Sequence, residues 1–219
     1  MLVRPDGDSV LCIGQASHAW ISGQMARQWA EPFEPYEEVC LAAEQHDVGM
    51  AAWDLTPSLN RETGLPHAFT EMPFSVHSAL WLEAPAKLVT TSVHAAALVS
   101  LHGTRLYEMR ECTPDVDDFL RRQEEFRRGL GFAREDLEPG STLVWIWDYL
   151  SLALLLGWEG EVEGLSVRNG RVTPWPFREA SVTFRCEGRR LDGRFSDEGA
   201  MRAALAAVPV EPVVARLAA

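Results

Sequence analysis

The chain has 219 residues, a mass of 24.4 kDa and 47% hydrophobic residues, which suits one large domain, or a domain with an appendage, built on a substantial core. A formal charge of -12 and a pI near 4.9 argue against a nucleic-acid backbone or an anionic membrane as the main partner, because both require a basic face. Lys87 is the single lysine among 20 basic residues, so any grip on an anion falls to arginine or to a metal.

Residues 16 to 30 carry apolar positions at Trp20 or Ile21, Met25 and Trp29, close to helical spacing, and Glu31-Pro32 ends the pattern. His18 therefore falls in a first helical turn. A second helix is expected from about Tyr36 to His46, where Val39, Ala42, Ala43 and His46 share one face. From Gly49 to Pro73 turn formers dominate, and the segment reads as a long ordered loop of the kind that often carries function.

Ser75 to Leu82 reads as a short helix holding His77, and Thr91 to Tyr107 as a longer one holding His94 and His102. Residues 115 to 129 place acids first and arginines last, which complements a helix dipole; Phe119, Gln123 and Phe126 mark the inner side and the charge run reads as a solvated face. Glu138-Pro-Gly140 is expected to break the chain, and an apolar helix to begin near Ser141. After Gly157 short β-like pieces follow, split by turns: Leu165 to Val167, a hairpin turn at Arg168-Asn-Gly-Arg171, then Val182 to Glu187 and Arg190 to Phe195 as separate strands. Asp197 to Ala207 reads as a closing helix, followed by a loose or strand-like end. The expected division is a helical metal-binding domain over 1–157 and a small β-rich extension packed on it over 158–219.

Cys12, Cys40, Cys112 and Cys186 lie far apart with no C-x-x-C spacing, which disfavours a zinc ribbon or a thioredoxin-like site and suits a reducing cytoplasm. The start, Met-Leu-Val-Arg-Pro-Asp-Gly-Asp, lacks the features of a signal peptide. The longest apolar run, about residues 143 to 156, is shorter than the roughly 20 residues of a membrane-spanning helix. A soluble cytoplasmic protein is the expectation.

Asp148 is the only charged side chain in the run Leu143-Val-Trp-Ile-Trp-Asp-Tyr-Leu-Ser-Leu-Ala-Leu-Leu-Leu156. An ionised carboxylate is costly to bury unless it is hydrogen-bonded, paired or bound to metal. His18, His46-Asp47, His77 and His102 lie upstream, and imidazoles with carboxylates on several helices suit one or two divalent ions of Fe, Mn, Zn, Co or Mg. His46 and Asp47 are adjacent and point roughly 100° apart on a helix. They serve one centre if they sit at a helix end, which Gly49 would allow by letting the backbone turn away. Each residue also has a plainer reading: a helix-end histidine bonded to a carbonyl, or Asp148 paired with an arginine or with tryptophan indoles. His94, two turns from His102, is not expected at the same ion, and His67 reads as structural.

The ordered set His18, His46-Asp47, His77, His102, Asp148 resembles the HD-domain superfamily, whose helical members use H…HD…D for one metal and H…HD…H…H…D for two. Glu44-Gln-His-Asp-Val-Gly49 is similar to its helix ending in HD-x-G, and Trp147-Asp-Tyr-Leu-Ser151 to its last helix; the likeness spans roughly residues 15 to 156. Within that superfamily the chain looks most like an uncharacterised bacterial group known as a domain of unknown function, on His18-Ala-Trp-Ile-Ser-Gly-Gln24, His46-Asp-Val-Gly-Met-Ala-Ala-Trp-Asp54, Thr63-Gly-Leu-Pro66 and Trp175-Pro-Phe177. The resemblance implies a mainly α fold, an HD-like helical bundle with a small antiparallel β appendage at the C-terminus. It implies metal ligation by His18, His46, Asp47, His77, His102 and Asp148, with Asp47 or Asp148 orienting a nucleophile.

Many members place a basic residue after HD-x-G; here that position is Met50. Arg105, one helical turn beyond His102, and Arg61 in the long loop are candidates to supply the charge, and Asp54 a candidate to orient a ligand imidazole or to cap a turn. Three functions follow: a metal-dependent phosphohydrolase for a small phosphorylated molecule such as a nucleotide; a mixed-valence di-iron oxygenase; and a non-catalytic metal-binding or sensing domain. The expected partner is a small-molecule substrate, with neither nucleic acid nor membrane, and a homodimer stays open.

Overall fold

In the computed structural model, which describes residues 1–219, the chain opens with a hairpin. Strands β1 (Leu2–Asp6) and β2 (Ser9–Ile13) turn through Gly7, whose φ of +63° is in the left-handed region. Helix α1 (Gln15–Gln28) leaves β2 directly and packs closely on α2 (Tyr36–Gln45). At their crossing a Cβ on Gly23 would stand 2.6 Å from Glu44 Cβ, so only glycine lets the two helices approach this far. A 3-10 turn (Val48–Met50), the short α3 (Ala51–Leu55), and a ladder of β3 (Leu59–Asn60) with β4 (Leu65–Pro66) fill the segment expected as a loop. It is irregular but not structureless.

Helices α4 (Phe74–Glu83), α5 (Val93–Glu108, capped by Ser92) and α6 (Pro114–Gly129, capped by Thr113) lie within two residues of their expected bounds. Helix α7 (Arg134–Leu156) does not: it runs through Pro139-Gly140, where a break was expected. The proline lies in the second helical turn, where it removes one backbone bond. Gly140 presses on the neighbouring helices, a Cβ there meeting Leu98 and Val39 at 3.1 Å. Tight packing of α7 on α2 and α5 thus outweighs the local breaker. Its 23 residues are long and apolar enough to cross a membrane by length and composition, and 56% of that apolar window is buried within the protein.

Downstream, β5 (Gly160–Val162), β6 (Leu165–Arg168) and β7 (Arg171–Thr173) form a three-stranded sheet. Asn169 and Gly170, both with positive φ, make the expected hairpin turn between β6 and β7. Residues 181 to 192 form one continuous strand, β8 (Ser181–Asp192), rather than two; Gly188 stays within it, closely packed between Leu11 and Val213. Helix α8 (Glu198–Ala207), capped by Asp197, and the edge strand β9 (Glu211–Ala218) close the chain.

The main sheet has the order β1-β2-β8-β9, all antiparallel, and it overturns the expected fold class. About 52% of the residues are helical and 21% lie in strands, in three antiparallel sheets. The protein is therefore not an HD-like helical bundle with a small C-terminal appendage. Its largest sheet is drawn from both ends of the chain, with β2 pairing β8 from Ser9↔Asp192 to Ile13↔Gly188. Val182, Phe184 and Cys186 of β8 share one apolar core with the helices, and a smaller core joins Val10, Cys12 and Leu191 to Met201 and Leu205 of α8. The sheet anchors the start of α1, and through it the first candidate ligand.

Candidate metal centre

Four helices deliver the site. His18 lies in the first turn of α1, His46 caps the C-terminus of α2, His102 is in the middle of α5 and Asp148 in the apolar part of α7. Asp47 follows His46 where the backbone leaves the helix, at φ -97° and ψ 17°. That departure lets adjacent side chains face one cavity. Gly49 contributes by close approach rather than by an unusual φ: a Cβ there would lie 2.7 Å from the Leu80 carbonyl and from Ala84 Cβ on α4. His18, His46 and His102 are each 1% exposed, Asp47 5% and Asp148 9%, so these charges and ring nitrogens are removed from bulk water.

A carbonyl partner fixes where the ring proton of His46 sits. His46 Nδ1 lies 2.8 Å from the Ala43 carbonyl, which can only accept, so Nδ1 carries the hydrogen and Nε2 holds a lone pair. Ser151 Oγ lies 2.8 Å from the Asp148 carbonyl, to which it can donate, and 2.8 Å from His18 Nδ1, from which it can accept; in that arrangement the His18 hydrogen is on Nδ1. His18 Nε2 then holds a lone pair too. It faces Asp47 Oδ2 at 2.6 Å and Asp148 Oδ1 at 3.9 Å, while His46 Nε2 faces Asp148 Oδ1 at 3.3 Å and Asp47 Oδ2 at 3.7 Å. Two imidazole lone pairs and two carboxylates converge, and His46 Nε2 has no hydrogen-bond partner at all.

Four acceptors cannot satisfy one another; a proton or a metal cation must lie among them. Donors sharing an ion with bonds of about 2.1 Å are separated by roughly 3.0 to 3.4 Å in octahedral or tetrahedral arrangements. The observed separations, 2.6 to 3.9 Å, straddle that interval. The nitrogen and oxygen set therefore fits a divalent ion, and one donor atom from each of His18, His46 and Asp148 falls within a 4.8 Å cluster.

The electrostatics match. Burial alone would lower the pKa of His46, but the Asp47 and Asp148 carboxylates outweigh it and raise it to about 9. Burial works to raise both carboxyls, yet His46 and His18 hold Asp47 below its usual range, and His46 with His102 holds Asp148 well below. Both acids are thus ionised, and in the absence of metal a proton held on His46 takes the place of the cation. His102 behaves differently: burial dominates and its pKa falls, leaving a neutral ring whose Nε2 lies 3.4 Å from Asp148 Oδ2. Asp148 presents one oxygen to His18 and His46 and the other to His102.

The remaining candidates divide. His77 lines the same cavity, but its Nδ1 bonds the Tyr107 hydroxyl at 2.6 Å and its Nε2 accepts from the Trp81 indole at 3.2 Å. Burial, then Arg110, lower its pKa to about 4, so it is neutral with both nitrogens engaged. Arg105 turns away, bonding Thr142 at 3.2 Å and Glu163 at 3.1 Å. Arg61 is exposed in the turn between β3 and β4. Asp54 holds the entry to α1, accepting from Gln15 N at 2.5 Å and pairing with the Met1 amine at 2.6 Å; burial raises its pKa. Neither arginine supplies charge to the cavity, and Asp54 orients the helix of His18 rather than its ring.

Ser151 and Ser22 stand inside the motifs Trp147-Asp-Tyr-Leu-Ser151 and His18-Ala-Trp-Ile-Ser-Gly-Gln24 with no role expected of them, and Tyr107 only closes an expected helix. Ser151 sets the His18 ring and is supported by Ser22 Oγ at 3.2 Å; its position three residues after Asp148, on the same helix face, was the available signal. Nothing local marks Tyr107 as the partner of a histidine 30 residues earlier. The cavity is small, about 70 Å³, and Phe69, Leu106, Leu152 and Trp81 supply its apolar walls.

The chain belongs to the family described as protein of unknown function (DUF3891), which matches residues 1–193. Comparison with curated proteins gave no match, and comparison with solved structures gave none.

Proposed function

We propose that this member of the DUF3891 family is a divalent-metal-dependent phosphohydrolase acting on a small phosphorylated substrate, with one ion held by His18, His46, Asp47 and Asp148. The observation that carries the metal is the convergence of Nε2 of His18 and Nε2 of His46 on two buried carboxylates, with His46 Nε2 left without a hydrogen-bond partner. The phosphate part rests on a likeness of ligand order to HD-type centres, that is, on residues and their sequence rather than on the fold. When bound, the ion would supply the Lewis acidity that lowers the pKa of a water and polarises a phosphoryl oxygen.

The chain's own groups have distinct tasks in this reading. Ser151 and the Ala43 carbonyl hold the two ligand rings in the tautomer that offers Nε2. Asp148, whose second oxygen lies 3.4 Å from Nε2 of neutral His102, is held in place by that ring and would orient a water. Trp81 and Trp145 pack on His102, with ring centroids 5.5 Å away, and shield it from bulk water. A cavity of about 70 Å³ admits a phosphoryl group but not a nucleotide, so the rest of such a substrate lies outside it.

His77 favours one ion over two. A second metal, as the di-iron oxygenase reading needs, would require His77 to leave the Trp81 indole that occupies its Nε2 lone pair. The deciding experiment is hydrolysis of aryl phosphates by protein loaded with Mn or Co, alongside Asp47→Ala. Turnover lost together with metal in a folded variant supports the proposal. A mixed-valence iron signal with substrate-dependent oxygen uptake, or a chelation-sensitive fold with silent substrate screens, would refute it in favour of oxidation or of a non-catalytic metal domain.

A further inference from the structure

Arg127 is the only arginine or lysine among the buried residues, at 4% exposure, and it has no carboxylate partner. Its Nη1 donates to Thr104 Oγ1 at 2.7 Å and Ser100 Oγ at 3.1 Å, both uncharged. Its neighbours are treated differently: Arg121 pairs with Asp118 and Glu125, and Arg134 with Glu108 and Glu138. A buried cation is costly without a counter-charge, and hydroxyl groups meet only part of that cost. The remaining edge of the guanidinium, Nε with Nη2, has no partner in the protein, and Arg127 lines a cleft of about 840 Å³ between α5, α6 and the start of α7.

We infer that this cleft is a binding site for a small oxyanion, a carboxylate or a phosphate, taken bidentate by the Nε and Nη2 edge of Arg127. The fork geometry of guanidinium suits those two planar or tetrahedral groups. Two further features bear on the charge of the site. The first turn of the 23-residue helix α7, at the positive end of its dipole, forms one wall and carries Glu135 and Asp136. Arg128, exposed at the rim, has no salt-bridge partner.

The cleft also holds Glu108, which Arg134 neutralises, and Glu124 and Glu135. Arg121 and Arg134 are already paired with carboxylates, and Glu124 and Glu135 stand against Arg127 and Arg128, so the wall carries no net positive charge and a small anion would be held by the unpartnered edge of Arg127 rather than by the field of the cleft. The site is distinct from the metal centre: Thr104 follows His102 by two residues, about 200° around α5, so the helix stands between them. It does not depend on the phosphohydrolase reading.

The test is calorimetric titration with inorganic phosphate and, separately, with acetate and succinate, at fixed ionic strength in chloride. Saturable binding of either class to the wild-type protein is expected, and the class that binds identifies the chemistry. Arg127→Gln should weaken it at least tenfold, and Arg128→Glu, a surface change that leaves the fold intact, should weaken it similarly. Binding should survive removal of metal by chelator followed by dialysis. No saturable binding to wild type, wild-type affinity in a folded Arg128→Glu, or loss of binding on metal removal would overturn the inference, the last by assigning the anion to the metal centre.

Discussion

Ser151→Ala isolates the orientation of His18 from its presence. The substitution removes one oxygen from a side chain with no exposure, so it changes neither the ligands nor the surface. It deletes the acceptor 2.8 Å from His18 Nδ1 and leaves that N–H buried without a partner. An unsatisfied buried donor costs roughly 1 to 3 kcal/mol, and loss of the group orienting a metal-bound imidazole typically costs about 10- to 100-fold in metal affinity. At about 1.4 kcal/mol per factor of ten the two estimates coincide. Competition with a chromogenic chelator should therefore show Ser151→Ala binding metal one to two orders of magnitude more weakly than wild type. Ser22→Ala serves as the control: Ser22 touches Ser151 and the Trp147 carbonyl but no ligand, so its effect should be severalfold at most. A folded Ser151→Ala protein with wild-type metal affinity would refute the assignment of His18 Nε2 as a ligand atom.

Metal removal should lower the melting temperature. Saturation at a hundred times Kd contributes about 2.7 kcal/mol, which for a chain of this length corresponds to roughly 5–10 °C; scanning calorimetry with and without chelator reads it, and identical curves would contradict a structural ion. The pH response of the chelated protein follows from His46, whose folded pKa of about 9 exceeds its ordinary 6.5. A raised histidine contributes stability that is complete below pH 6.5 and lost as pH rises through 9, so the chelated protein should melt progressively lower over that window. Metal affinity should climb over the same window as the competing proton leaves, and a flat melting profile in the chelated protein would count against His46 as the proton holder. Gly23→Ala should separate α1 from α2, since the added Cβ would stand 2.6 Å from Glu44 Cβ and 3.0 Å from its Cα. Overpacking of this kind costs about 1 to 3 kcal/mol, and because α1 carries His18 and α2 carries His46, thermal melting and chelator competition should show stability and metal affinity falling together.

Much of the site was legible because its residues break local rules. Asp148 stands alone in an apolar run, and His46-Asp47 ends a periodic helix; each anomaly has a cause in the site. His77 looked equivalent to His102, but its role depends on Tyr107 and Trp81, and pairing across 30 residues leaves no mark in the sequence. Arg127 was hidden by its company: in a run of charges it reads as solvated, whereas it lies one turn after Gln123 on the buried face of α6. The fold failed to read where tertiary packing overrides local signals. Pro5 sits on the edge strand β1, where a missing N–H is tolerated, and a proline there hides the strand from a reading of local signals. Gly140 and Gly188 look like breaks and are points of close packing. The expected appendage became half of a sheet whose other half, β1 and β2, is hidden from local reading because β2 pairs with β8 from more than 170 residues earlier in the chain.

Anomalous diffraction from crystals of the metal-loaded protein, recorded at the absorption edges of Mn, Fe, Co and Zn, tests the central claim most directly. The account predicts one peak about 2.0 to 2.2 Å from His18 Nε2, His46 Nε2 and the facing oxygens of Asp47 and Asp148. A dry cluster closed by protons alone, or a peak coordinated by other residues, would contradict it.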